Sequence, residues 1–148
     1  MKVAETITIN KNKSLVWQVI SDIRKLEKTI SGIVKIEILN EPSSELVGLK
    51  WRETRMYFGK PASVEKCITE AVENEFYKTR AEMDGFIFIT TMNLSQSNEQ
   101  TILTSTHETI PLGFLSKLKS LPMIFFKGVL KKAILQDLKD IKNTLESK

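Results

Sequence analysis

The 148 residues include a single cysteine, a single histidine, four prolines and six glycines. Cys67 alone excludes an internal disulfide and fits a reducing compartment, so a cytoplasmic location is expected. No run approaches the roughly 18 apolar residues of a membrane-spanning helix. The opening Met1-Lys2-Val3-Ala4-Glu5 lacks the apolar stretch of a signal peptide. No Cys/His spacing suits a metal, no glycine-rich loop suits a phosphate, and no serine-centred elbow suits a hydrolase. No metal and no cofactor are therefore expected. Repeats, low-complexity tracts and linkers are missing too, so residues 1–148 are expected to form one domain around one core. The net charge of +4 and pI of about 9.1 are only mildly basic. The lysines are dispersed rather than clustered, and nucleic acid is not expected as a partner.

What is present is periodic. Leu130, Ile134, Leu138, Ile141 and Leu145 recur at helical spacing, and lysines fill the rest of the wheel. This predicts a long amphipathic helix over 121–146. Ser120 is placed to cap it and Pro122 to sit in its first turn. Its beginning, 123–126, is apolar on every side, and Gly128 is expected to interrupt or bend it. At the other end of the chain, Val3, Glu5, Ile7 and Ile9 alternate with Ala4, Thr6 and Thr8 as a first strand. Asn12 or Ser14 is expected to cap a helix carrying Trp17, with a short helical piece over 24–30. Val34, Ile36 and Ile38 alternate as strand two. Five more strands follow over 47–110.

Turn chemistry assigns the faces. Asp84-Gly85 is a strong two-residue hairpin signal. It pairs Met83 with Phe86, Ala81 with Phe88, Thr79 with Thr90 and Tyr77 with Met92. A turn at Glu73-Asn74 pairs Ile68 with Thr79 and Lys66 with Ala81. A turn at Gly59-Lys60 pairs Glu53 with Lys66 and Arg55 with Val64. Paired residues share a face. Trp51, Glu53, Arg55, Tyr57, Val64, Lys66, Ile68, Tyr77, Thr79 and Phe88 therefore fall on one face, the richer in aromatics, which should point inward. Cys67 falls on the other, opposite Arg52.

Strand, two helices, six strands and a long helix make an α+β arrangement. With its first strand, Val16-Trp17, Ser21-Asp22, Val47-Gly48, Trp51-Arg52-Glu53-Thr54-Arg55, Phe58-Gly59-Lys60 and the closing Asp137-Leu138-Lys139-Asp140-Ile141-Lys142, the chain resembles the START/Bet v 1-like (SRPBCC) superfamily. Within it, the chain resembles the polyketide cyclase/dehydrase-like group. The resemblance covers essentially the whole chain. It implies the helix-grip fold, in which a curved seven-stranded antiparallel sheet wraps around the long C-terminal helix and two short helices follow strand one. It also implies a cavity between sheet and helix that takes lipids, polyketides or other apolar molecules.

The inward face carries unusual chemistry for such a cavity. Glu53, Arg55 and Lys66 are ionisable groups among apolar neighbours, and unpaired buried charge is costly. They read either as a polar anchor for one end of an apolar ligand or as an internal ion pair joining two strands. Glu53 and Lys66 are expected to pair, leaving Arg55 for a ligand anion. His107 reaches the same space if Leu103 and Ser105 also face inward, and a histidine there could move protons. Trp51, Tyr77 and Phe88 read equally as cavity wall or core. Phe126 and Leu130 are expected at the mouth of the cavity. The expected ligand set is thus Trp51, Glu53, Arg55, Lys66, Tyr77, Phe88, His107, Phe126 and Leu130, with no catalytic residue assigned. The partner is expected to be a small hydrophobic ligand. Two alternatives stand beside it: a cyclase or dehydratase using Arg55, Tyr77 or His107, and an interaction module for a membrane surface or a chaperone. The lysine-punctuated apolar stretch 111–127 suits transient membrane contact.

Overall fold

A computed structural model gives the structure, which describes residues 1–57, 59–114 and 126–147. The order is β1 (Lys2–Ile9), α1 (Lys13–Ile20), a 3₁₀ turn (Ile23–Lys25), α2 (Leu26–Thr29), then β2 (Ile33–Asn40), β3 (Lys50–Tyr57), β4 (Lys60–Val72), β5 (Phe76–Met83), β6 (Phe86–Ser97), β7 (Gln100–Pro111) and α3 (Lys127–Glu146). The seven strands form one antiparallel sheet in the order β1-β7-β6-β5-β4-β3-β2. β2 to β7 run as a meander, and β1 closes against β7. This is the expected α+β architecture.

The hairpins show how local chemistry sets register. Asp84 and Gly85 adopt φ of 54° and 82°, and all four predicted β5–β6 pairs are present. Two positive φ values make this the turn whose twist matches the strands it joins. Between β4 and β5 the connection is one residue longer than expected, because Val72 pairs with Phe76. An irregularity between Ile68 and Glu70 absorbs the extra residue, so Lys66–Ala81 and Ile68–Thr79 are paired as predicted. Between β3 and β4 the register moves by two. Tyr57 pairs with Lys60, Arg55 with Ala62, Glu53 with Val64 and Trp51 with Lys66. A shift of two leaves every side chain on its predicted face. Cys67 lies on the outer face as expected, but opposite Lys50 and Arg80 rather than Arg52. β2 departs further. A bulge at its start leaves Val34 exposed and turns Ile33 into the core.

The core lies between the concave face and α3. Ile134, Leu138, Ile141 and Leu145 of α3 are buried with Ile9, Val16, Ile20, Trp51, Ile68, Tyr77, Leu94 and Leu103. The predicted stripe is thus the packed face, and Leu130 lies against its edge. α3 starts at Lys127, so Gly128 stands in its first turn, and, its chain neighbours and own helix backbone aside, none of the described residues stands within 4 Å of where a Cβ would lie. Close packing against the described residues is not the reason for this glycine. The expected Ser120 cap, Pro122 and residues 123–125 lie outside the described residues.

α1 is held at both ends. The Asn12 side chain accepts a hydrogen bond from the Leu15 amide at 3.0 Å. Asn12→Ala should therefore cost about 1 kcal/mol of stability in urea denaturation. At the other end, the buried Tyr77 hydroxyl donates to the Ile20 carbonyl at 3.0 Å. Trp17 packs edge-on against the Tyr77 ring, with centroids 6.0 Å apart. Trp17 is core, and so is Tyr77.

Candidate functional site

The inward parity of β3 and β4 brings Glu53, Arg55 and Lys66 together, and α3 adds a fourth member. Glu53 is only 4% exposed. Its Oε2 accepts from Arg55 Nε at 2.8 Å and from Lys66 Nζ at 3.0 Å. Its Oε1 lies 3.4 Å from Trp51 Nε1, which donates to it. Arg55 also grips Asp137 of α3 with both terminal nitrogens, at 3.2 and 2.9 Å. Two cations and two carboxylates thus form one closed row from β4 through β3 to the last helix. Glu53 and Lys66 are diagonal rather than directly opposed, which long side chains still bridge.

Arg55 is therefore not the open anion site expected of it. The two-position shift places it opposite Ala62, beside Glu53 and under Asp137. A two-pronged guanidinium–carboxylate pair is strong and orienting. Gly32 allows it: a Cβ there would stand 3.1 Å from Arg55 Nη1. The neighbouring Ser31 donates its amide and hydroxyl to Asp140 at 2.9 and 2.7 Å. The loop entering β2 is thus fastened to α3 directly above the Arg55–Asp137 pair.

Charge states follow from this geometry. Burial alone would push the Glu53 carboxyl up, but the charges of Lys66 and Arg55 outweigh it and hold the pKa at about 2. Burial works against the Arg55 charge as well, yet Asp137 and Glu53 overcome it and raise its pKa. Asp137 shows the opposite balance, with burial exceeding the pull of Arg55 and its pKa raised. Tyr77 is raised by burial and then by Glu53.

His107 faces inward on β7, as expected, opposite Thr90 and Val3. Its Nε2 is 2.9 Å from the Ser105 hydroxyl, and its Nδ1 is 3.5 Å from that of Thr90. Burial first, then the charges of Lys66 and Arg55, lower its pKa to about 4, so it is neutral at pH 7. Cys67 faces away, and the two cannot form a dyad. No group of acids, His107 or Cys67 that could hold a metal occurs among the described residues.

The remaining expected residues divide between core and open face. Trp51 and Tyr77 are buried in the core. Phe88 and Leu130 are half-buried, and Phe126 is exposed just ahead of α3. Toward the β3–β4 hairpin the inward side chains emerge from the core. Val64 is half-buried and Tyr57 is 54% exposed.

The sequence reading missed Asp137 as a site residue. Its signal was there, since Ile134, Asp137 and Ile141 share one helical face at spacings of three and four. An acid inside an apolar stripe calls for a cationic partner. Gly32 and Thr79 left no such mark, because a close approach and an open hydroxyl depend on what packs nearby.

No known family model and no curated protein matches this sequence. Solved structures do. The Zhui aromatase/cyclase from Streptomyces sp. R1128 superposes with a TM-score of 0.80 at 18% identity, covering 99% of this chain and 93% of that one. A START superfamily protein from Mycobacterium smegmatis does so with a TM-score of 0.80 at 13% identity, covering 99% and 97%. Norcoclaurine synthase from Thalictrum flavum gives 0.71 at 14% identity, covering 100% and 87%. At such identities the likeness is one of fold. The chain has the START/Bet v 1-like helix-grip fold, as the resemblance of its sequence implied.

Proposed function

We propose that this helix-grip chain binds a small hydrophobic molecule on its concave face, between the β3–β6 end of the sheet and the start of α3. One observation carries the reading. The inward face runs on past the residues that form the buried core under α3. Beyond that core, Tyr57, Val64, Phe88 and Leu130 remain partly or largely accessible. Apolar side chains on a concave surface, with a few polar groups among them, are what a small-molecule site requires.

The alternative of a cyclase or dehydratase asks more of the same residues. Arg55 is engaged by two carboxylates, Tyr77 by a backbone carbonyl, and His107 by Ser105. A carbonyl-polarising or proton-moving role would require one of them to change partner. Transient membrane contact suits the way a ligand would arrive. Leu112, Phe114, Phe126 and Val129 are exposed, and Lys127, Lys131 and Lys132 lie close to the last two in sequence. No described helix is long and apolar enough to cross a membrane.

Nile red, an uncharged apolar dye, should bind saturably to the folded protein. Phe88→Ala should weaken that binding about tenfold, the worth of one large apolar contact. Absence of saturable binding, with no ligand retained in native mass spectra of protein from its own source, would leave a solid core as the better reading.

A further inference from the structure

We propose that the concave site selects an electrically neutral, oxygen-bearing apolar molecule, such as an alcohol, a phenol or a ketone, and discriminates against organic anions. The inference rests on the binding reading above and specifies its ligand class.

The first argument is a charge count. Among the described residues, the concave face and the helix side above it present Arg55 and Lys66 as cations, and Glu53 and Asp137 as anions. Glu5, half-buried opposite Ser105 on β1, adds another carboxylate. Both cations already have carboxylate partners at 2.8–3.0 Å. A ligand carboxylate would have to displace Asp137 or Glu53, or remain unmatched in a largely desolvated place. A neutral oxygen faces neither penalty. Among the described residues Lys66 makes a single hydrogen bond, so its ammonium keeps donors for a hydroxyl or carbonyl oxygen.

The second argument is independent of charge. Thr79, Thr90 and His107 are directly paired across β5, β6 and β7, forming a row of uncharged polar groups on the concave face. Thr79 is only 5% exposed, yet its hydroxyl has no hydrogen-bond partner among the described residues. No sealed side-chain polar atom among those residues lacks a partner. The Thr79 hydroxyl, on the inward face beside Ile68 and Thr90, is therefore unpartnered but not fully sealed. A largely buried, unpartnered hydroxyl is a place for one ligand oxygen, because an unpaired polar group at such depth is otherwise unfavourable. The neutral His107 ring, next along the row, offers polarity without a charge that would draw an anion.

Three probes with one carbon skeleton separate the possibilities: decanol, decan-2-one and decanoate, each competing with Nile red on the full chain. The alcohol and the ketone should bind at least about tenfold more tightly than the carboxylate, since only the latter disturbs a paired buried charge. Thr79→Val, nearly isosteric, should weaken decanol about fivefold, the worth of one neutral hydrogen bond. Asp137→Asn should raise decanoate affinity relative to decanol by about tenfold, because it leaves the cluster with one unmatched cation. Decanoate binding the unaltered protein as tightly as decanol would overturn the proposal while leaving the binding function intact. No response to any probe, and no binding of Nile red itself, would overturn the binding function instead.

Discussion

Glu53→Gln is expected to lower the stability of the fold by about 3 kcal/mol, although it changes one atom and keeps the side chain's shape. The cost arises because the amide no longer balances Lys66 and Arg55. Both then keep positive charge on a face where their side chains are only 22% and 19% exposed. That residual exposure places the effect near the lower end for a broken buried pair. Lys66→Met should also destabilise, by leaving Glu53 with one cation fewer. The double variant should be more stable than the sum of the two single effects predicts, by more than 1 kcal/mol. Urea denaturation of the four proteins measures this directly. A Glu53→Gln cost below about 0.5 kcal/mol would mean that the quartet is an exposed ion pair with little energetic weight.

The second large effect concerns mild acid. The folded protein holds His107 at a pKa of about 4, against 6.5 for a free imidazole. A group whose folded pKa is depressed binds protons more readily in the unfolded chain. The stability linked to His107 is therefore fully present above pH 6.5. It is lost as pH falls from 6.5 toward 4. Between pH 7 and 5 the loss should be about 2 kcal/mol. Glu53, with its pKa of about 2, gives way only at lower pH. Asp137 acts in the opposite sense, because its raised pKa lets the folded state take up a proton first. Between pH 7 and pH 5 Glu53 is silent, and proton uptake by Asp137 offsets rather than adds to the loss from His107. His107→Gln should remove most of the difference. An equally steep dependence in that variant would assign the acid sensitivity to other groups.

Much of this was legible locally. The Asp84-Gly85 turn set the β5–β6 register because both residues tolerate positive φ, and every predicted pair there is present. Inward and outward faces were also legible along β3 and β4. Side chains alternate with a period of two, so a two-residue register shift changed partners but not faces. Glu53 and Lys66 were recognisable as a pair for the same reason. The β2 bulge was not recognisable. Val34 and Ile33 are both β-branched apolar residues, and only the fit against Arg55 and the core decided which turned inward.

By itself, then, the sequence determined the order of elements, the apolar stripe of α3 and the set of side chains that share the concave face. These depend on neighbours a few positions apart, where backbone geometry allows few choices. Tertiary structure alone decided which of those side chains remain available. Arg55 was engaged by Asp137, 82 positions away, because α3 crosses the sheet where a glycine at position 32 leaves room for the pair. The Thr79 hydroxyl was left without a partner among the described residues because no polar group of another element comes within hydrogen-bond reach of it. Pairing and vacancy at a site are set by distances between elements remote in the chain, and no local period encodes those distances.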